Sequence, residues 1–384
     1  MARLMKLLPF RELGIPVKIL QGMLRNRGKR IPPWKARTVD NGSLVLIDGI
    51  PLVRVRGTPR EIGRALGELT GEQARALTDG YMRVFAPDAK GDMPLARQMQ
   101  VPEWHREELA GFAETAPLSA DEMLLGQCFL DIHKVALCTT IAAQGASSTT
   151  GEIILGRNLD FPALALAHEA GMIVCFEPAG GRRHCGVTWP GFLGLLSGMN
   201  EDGLSLAMML VYGHMHREHL NGQPFPLVFR RVLAECRDAA QAVELLDKRP
   251  YCTATNVMLA DKSRDAVRAQ LHPDRSIVAR VDEKTPALAC TNHFMEPGYK
   301  AFAFTWFSSA WRLARMNRAI RSGEKLDVAR VKQLLQKTAM PGINLQRIIF
   351  LPERLEMEVA LGLPTGGPRH WTNFSRQNLF PTAV

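Results

Sequence analysis

Apolar and polar positions follow one rhythm up to about residue 134 and another after it. Val53 and Val55 alternate with Arg54 and Arg56, and Asp48-Gly49 is a tight-turn signal, so residues 44–56 are predicted to form a hairpin. In GTPREIGRALGELTGEQARAL, residues 57–77, Ile62, Leu66 and Leu69 fall at helical spacing. Gly63 and Gly67 interrupt that helix. Each costs about 1 kcal/mol there, so the close approach of another backbone is their expected reason. Residues 80–117 read as short helices and loops. Ser119-Ala-Asp-Glu122 is a capping box that opens a helix running to about Lys134.

At Cys138 the pattern becomes strand-like. CTTIAA (138–143) is small and β-branched, SSTTG (147–151) is turn chemistry, and EIILGRNLDF (152–161) is a second strand. Together they predict an antiparallel hairpin. Further strands are expected at 172–177, 184–189, 204–210, 256–260, 266–271, 276–281, 346–351 and 356–361. Amphipathic helices are expected at 226–248, 308–321 and 327–337. Runs of strands with helices between the runs indicate an α+β or layered sandwich, not a parallel βαβ series. There is no internal repeat, no P-loop, and no GxGxxG after a strand, so no cofactor is expected.

Composition adds a core and locates the charge. The chain has 384 residues, 46% hydrophobic and 22% charged, which excludes wholesale disorder. Its net charge of +10 invites a nucleic-acid reading. Residues 1–37 alone carry ten basic side chains against Glu12, and the other 347 residues carry 38 basic and 37 acidic ones. The body is electrically balanced, which argues against nucleic acid as a partner. The basic leader reads as a flexible or partner-facing tail, or as a surface helix on an anionic membrane to which Leu4, Leu7, Leu8 and Phe10 would contribute. Pro9 and Pro16 argue against a long continuous helix. No apolar run reaches a membrane span, and Lys6, Pro9, Arg11, Pro16 and Lys18 break up any signal-peptide core. Seven cysteines without CxxC spacing suit a reducing, cytoplasmic compartment rather than a disulfide framework or zinc site. His214, His216 and His219 are spaced i, i+2, i+5, which suits neither face of one helix, so no metal is expected.

Cys138 carries the candidate chemistry. An internal cysteine at a strand start is ordinarily a small buried apolar residue. Here it opens the first strand after the helical region, and the hairpin partner contains Arg157-Asn158-Leu159-Asp160. A cation near sulfur favours thiolate. If the chain were cut before Cys138, its new α-amine, with a pKa of about 8, could take the thiol proton without a histidine. Asp160 would orient that amine, and Arg157 would favour the thiolate. His133 is placed either to assist such a cut or to pack the helix end. Trp189, Phe192, Leu195, Leu196, Met199, Met208, Met209 and Leu210 read as core, or in part as the lining of an acyl pocket.

Cys138-Thr-Thr followed by GEIILGRNLDF resembles the nucleophile hairpin of the cysteine N-terminal-nucleophile hydrolases. These include choloylglycine hydrolases, acid ceramidase and the isopenicillin N acyltransferase type, to which the likeness is greatest. It continues through GTPREIGRALGEL (57–69), GMNEDGLSLA (198–207), NVMLADKSRDAV (256–267), ACTNHF (289–294), SSAWRLAR (308–315) and IIFLPERLEMEVALGLP (348–364). The resemblance implies a four-layered αββα sandwich with a mostly helical N-terminal segment. The chain would divide into a leader (1–37), a propeptide-like segment (38–137) and a catalytic core (138–384). It implies self-cleavage between Leu137 and Cys138, and hydrolysis or transfer at an amide bond of a small N-acyl amide, with water or an acceptor amine as second substrate. The family's oxyanion-stabilising or substrate-binding asparagine falls on Asn292, and its active-site arginine on Arg312. Two positions depart from the pattern. Leu210 stands where bile-salt-cleaving relatives carry an asparagine, which leaves a backbone N–H as second oxyanion donor. Leu137 stands where glycine is common in the acyltransferases. A non-catalytic, uncleaved member of the fold that binds an acyl ligand or a protein is the alternative reading.

Overall fold

The computed structural model describes residues 9–85, 89–211, 220–248, 250–272, 275–295, 303–363 and 370–382. The N-terminal part begins with helix α1 (Pro9–Arg25), followed by strands β1 (Arg37–Val39), β2 (Gly42–Ile47) and β3 (Ile50–Gly57). Four helices come next: α2 (Pro59–Phe85), α3 (Ala89–Gln98), α4 (Glu103–Thr115) and α5 (Ala120–His133). The predicted hairpin is β2–β3, with Asp48 and Gly49 both at positive φ as its turn requires. The predicted capping box is present, with Ser119 Oγ accepting from the Glu122 N–H.

The glycines of α2 lie where α4 crosses it. A methyl on Gly63 would overlap the Glu108 carbonyl oxygen, and one on Gly111 would overlap that of Arg60. The two backbones therefore touch, as the spacing of Gly63 and Gly67 implies.

Strands β4 (Leu137–Ala143) and β5 (Ile154–Asp160) form the expected antiparallel hairpin. The remaining strands are β6 (Met172–Pro178), β7 (His184–Thr188), β8 (Ser197–Asn200), β9 (Ser205–Leu210), β10 (Thr255–Ala260), β11 (Ala266–Leu271), β12 (Ser276–Arg280), β13 (Ala287–Cys290), β14 (Asn344–Leu351), β15 (Glu356–Leu361) and β16 (Thr372–Phe374). The short strands β1, β8, β13 and β16 have three or four residues each, too few for a period-two pattern to be read.

Among the described residues these strands form two sheets. One has ten strands in the order β1-β2-β3-β6-β7-β8-β9-β10-β11-β12, and the other has six in the order β13-β4-β5-β14-β15-β16. The sheets face each other, with β4 against β9 and β10, and β11 against β13. Helices α6 (Phe225–Glu235) and α7 (Ala239–Asp247) pack on strands of the large sheet, while α8 (Ala303–Arg321) and α9 (Val328–Thr338) pack on the small one. The result is a four-layered αββα sandwich, with a last helical turn, α10 (Arg376–Leu379).

Two expectations are corrected. The single helix expected at 226–248 is two helices. Asp238 caps the second, accepting from Gln241 N–H at 2.9 Å, while Asn200 takes up the Leu233 and Cys236 carbonyls at the end of the first. The leader is not a free tail over its described part. Its helix runs through Pro16 and docks on the body. Asn26 donates to the Gly80 and Leu164 carbonyls, Arg25 to that of Arg83, and Trp34 to that of Glu169. These contacts outweigh the proline's local preference.

The N-terminal segment is also built into the sandwich. Strand β3 pairs in parallel with β6 and so joins β1 and β2 to the large sheet. One hydrophobic cluster runs from Ile31 to Phe380. No described helix is long and apolar enough to cross a membrane.

Candidate functional site

Strand alternation distributes the hairpin's side chains. From β5, Arg157 points between the sheets to Ser197 and Met208 of the large sheet, and Asn158 points outward to Leu335 of α9. From β4, the Cys138 thiol lies in the same inner layer as Arg157, while Thr139 faces Arg312 on α8. Cys138, Arg157, Asp160, Asn292 and Arg312 are all buried. The five residues singled out in the sequence meet around the start of β4.

The backbone of residue 138 is held on both sides. Asn292 Oδ1 accepts the Cys138 N–H at 2.8 Å, and Arg312 donates to the Cys138 carbonyl. Arg312 also donates to Thr139 Oγ1 at 2.8 Å and to Asn292 Oδ1 at 2.9 Å. The Asn292 amide donates to the Leu210 carbonyl at 2.8 Å. Leu210, which departs from the bile-salt pattern, therefore takes part through its backbone. In the uncleaved chain the carboxamide presents its oxygen to the Cys138 N–H and gives one amide hydrogen to Leu210.

The thiol is 3.5 Å from Arg157 Nη2, whose guanidinium also donates to Ser197 Oγ at 2.6 Å. Burial pushes the Cys138 pKa up, and the Arg157 charge opposes this. Asp160 lies opposite Leu137 in the hairpin register. One of its oxygens accepts from Met340 N–H at 3.0 Å and Asn344 Nδ2 at 2.8 Å, and the other has no hydrogen-bond partner among the described residues. Burial raises the Asp160 pKa to about 6 against the pull of Arg312.

Several supporting residues escaped the sequence reading. Ser309 Oγ accepts the Asn292 N–H at 2.8 Å and bonds His293 Nδ1 at 2.7 Å. His293 is driven down to about 4, first by burial and then by Arg312, so it is neutral at neutral pH. Arg347 donates to Asn344 Oδ1 at 3.0 Å, behind Asp160. Ser308-Ser309 and TNH gave weak local signals, whereas Asn344 and Arg347 gave none.

Other expectations resolve elsewhere. His133 bonds Asp92 at 2.9 Å and packs on Phe85 and Phe129 at the end of α5. The His214, His216 and His219 group lies outside the described residues. In the methionine-rich region, Leu195, Leu196, Met199, Met208, Met209 and Leu210 are buried core. Trp189 and Phe192 line a cavity of about 90 Å³ together with Tyr81, Phe129 and Phe161.

Facing sheets flanked by helices, with a cysteine at the start of an inner strand, define an N-terminal-nucleophile hydrolase fold. The chain belongs to the acyl-coenzyme A:6-aminopenicillanic acid acyl-transferase family, whose model matches residues 147–341. That span contains Arg157, Asp160, Asn292 and Arg312 and begins after Cys138. An uncharacterized protein of Archaeoglobus fulgidus is 21% identical over 392 aligned positions, taking in 84% of this chain and 66% of that relative, so the chain spans just under two thirds of the relative's length. Among solved structures, the Caenorhabditis elegans ortholog of N-acylethanolamine-hydrolyzing acid amidase superposes with a TM-score of 0.46 at 17% identity, over 56% of this chain and 93% of that one. A mutant conjugated bile acid hydrolase of Clostridium perfringens gives 0.44 at 14%, over 62% and 92%. Penicillin V acylase of Agrobacterium tumefaciens gives 0.45 at 13%, over 63% and 88%.

Proposed function

We propose that the protein is a self-processing cysteine amidohydrolase or acyltransferase acting on a linear N-acyl amide through an acyl-thioester on Cys138. The observation that carries this reading is the double hold on residue 138, with Asn292 on its N–H and Arg312 on its carbonyl, beside the Arg157–thiol contact. In processing, Sγ attacks the Leu137 carbonyl carbon, the C–N bond breaks, and the Cys138 nitrogen takes up a proton. Water then hydrolyses the thioester, releasing the Leu137 carboxylate and the thiol.

The freed α-amine occupies the position from which the amide N–H now reaches Asn292, with Asp160 across the hairpin. It takes the thiol proton as Sγ attacks a substrate amide and returns it to the leaving amine. Water or an acceptor amine resolves the acyl-enzyme. Arg157 stabilises the thiolate, and the second amide hydrogen of Asn292, beside the one given to Leu210, serves the developing oxyanion together with a backbone N–H. The division at 137/138 is one of chain rather than core, since β3 stays in the large sheet after a cut. The apolar cavity beside Trp189 and Phe192 is the proposed acyl site.

Intact mass tests the processing step. A cut before Cys138 converts the 42.6 kDa chain into fragments of 137 and 247 residues, about 15 and 27 kDa by proportion. Cys138→Ala should stay whole and inactive. A whole wild-type chain, with amide-cleaving activity retained in Cys138→Ala, would overturn the mechanism. A whole chain that binds N-acyl amides without turnover would instead make it a binding protein.

A further inference from the structure

We propose that helix α1 is a docking surface for an anionic lipid bilayer, independent of the chemistry at Cys138. One face of this helix is committed to the protein. A methyl on Gly22 would lie 2.8 Å from Leu164, and Asn26, just past the helix end, donates to the Gly80 and Leu164 carbonyls. The opposite face carries Val17, Leu20, Met23 and Leu24, spaced i, i+3, i+6, i+7, at 55%, 59%, 51% and 63% exposure. These four are half of the large hydrophobic side chains exposed among the described residues. Stranded apolar residues are ordinary on a surface when single, but a stripe along one helix face marks an interaction site.

Charge selects the occupant. Arg25, Arg27, Lys29, Arg30 and Lys35 follow the stripe and are exposed, within a leader whose one acid is Glu12. A polyanion without an apolar phase, such as nucleic acid, would satisfy these cations and leave the leucines in water. An anionic bilayer satisfies both, taking the apolar side chains at the headgroup–acyl boundary and the cations at its charged surface. The site also lies beside the apolar cavity. α1 packs on Leu164 and Val84, and the cavity wall is formed by Tyr81, Met82, Phe161 and Ala167 from the same two segments.

Vesicle flotation of the full chain tests this proposal. Wild type should float with phosphatidylcholine vesicles containing about one third phosphatidylglycerol and remain at the bottom with phosphatidylcholine alone, and added salt should release it. Leu20→Glu with Leu24→Glu, and separately Arg27→Glu with Lys35→Glu, should each weaken binding about tenfold or more. Val278→Glu, exposed on the far edge strand β12, should not. The proposal fails if wild type ignores both vesicles, or if the leucine variant floats as well as wild type. It also fails if light scattering finds a dimer that the leucine variant dissolves, because the face then belongs to a second copy. Tight binding of duplex DNA that the leucine variant retains, without vesicle binding, would assign the leader to nucleic acid.

Discussion

The side-chain oxygen of Asn292 accepts the backbone N–H of Cys138 at 2.8 Å, and the same carboxamide donates to the Leu210 carbonyl at 2.8 Å. Both ends of the group are used, by a backbone partner on each sheet and by Arg312, which also donates to the oxygen, so its orientation is fixed. Asn292→Ala should therefore slow processing and any amide turnover by about 100-fold or more, while leaving the chain folded. The check is the rate of fragment appearance by mass spectrometry, followed by turnover of whatever processed material forms. Asn292→Asp should do no better, because a carboxylate cannot donate to Leu210. Wild-type rates in either variant would remove Asn292 from the mechanism.

Arg157 is buried with its guanidinium shared among Sγ of Cys138, Ser197 and the Met208 carbonyl. Its charge opposes the burial that drives the thiol pKa up. Arg157→Met should move the pH profile of Cys138 alkylation upward by about one unit or more. Ser197→Ala should produce a smaller shift in the same direction, since Ser197 acts only by holding Arg157. Peptide-resolved alkylation across a pH series separates Cys138 from the other six cysteines, and an unmoved profile in Arg157→Met counts against thiolate stabilisation.

Asp160 makes a prediction about stability. Its pKa is about 6 in the folded chain and near 3.8 when unfolded, because burial disfavours the charged form. Between those values the folded chain holds a proton that the unfolded chain has lost. Stability should therefore fall as pH rises from about 4 to about 6, by up to about 3 kcal/mol from this group, and should not recover above that. In a Cys138→Ala background, which stays uncleaved, Asp160→Asn should lack this component. The difference in urea midpoint between the two chains should change across that window and be flat above it. A constant difference would show that Asp160 does not titrate there.

Much of this arrangement was legible in the chain. The hairpin that carries Cys138, Arg157 and Asp160 is local, with its turn and alternation within one stretch of sequence, so pattern alone found it. Asn292 and Arg312 came from resemblance, since nothing local to TNH or SSAWRLAR says that they reach β4. Asn344 was invisible because it meets Asp160 only through the β5–β14 pairing, nearly two hundred residues away in sequence, and Arg347 because it reaches that site through Asn344. Only the flexible-tail reading of the leader fails, and for a similar reason. Two prolines and a run of cations set its local preference, but its docking depends on a glycine, an asparagine and the carbonyls of distant segments.

The α2–α4 crossing links the N-terminal segment to the rest. At Gly63 the helix backbones touch, and an added methyl would overlap the Glu108 carbonyl, whose backbone cannot swing aside as a side chain could. Gly126 on α5 is the natural control, because a methyl there meets nothing within 4 Å. Gly63→Ala should cost about 2 kcal/mol or more, since the helices must part. Gly126→Ala should be neutral or stabilise by up to about 1 kcal/mol through helix propensity alone. Because β3 pairs with β6 across the proposed cleavage point, Gly63→Ala should lower the single unfolding transition of the whole molecule, whether whole or cut. Calorimetry that instead resolved a separate early transition for residues 1–137 would show that the segment is an independent unit, and its strands could then leave the large sheet without unfolding the core.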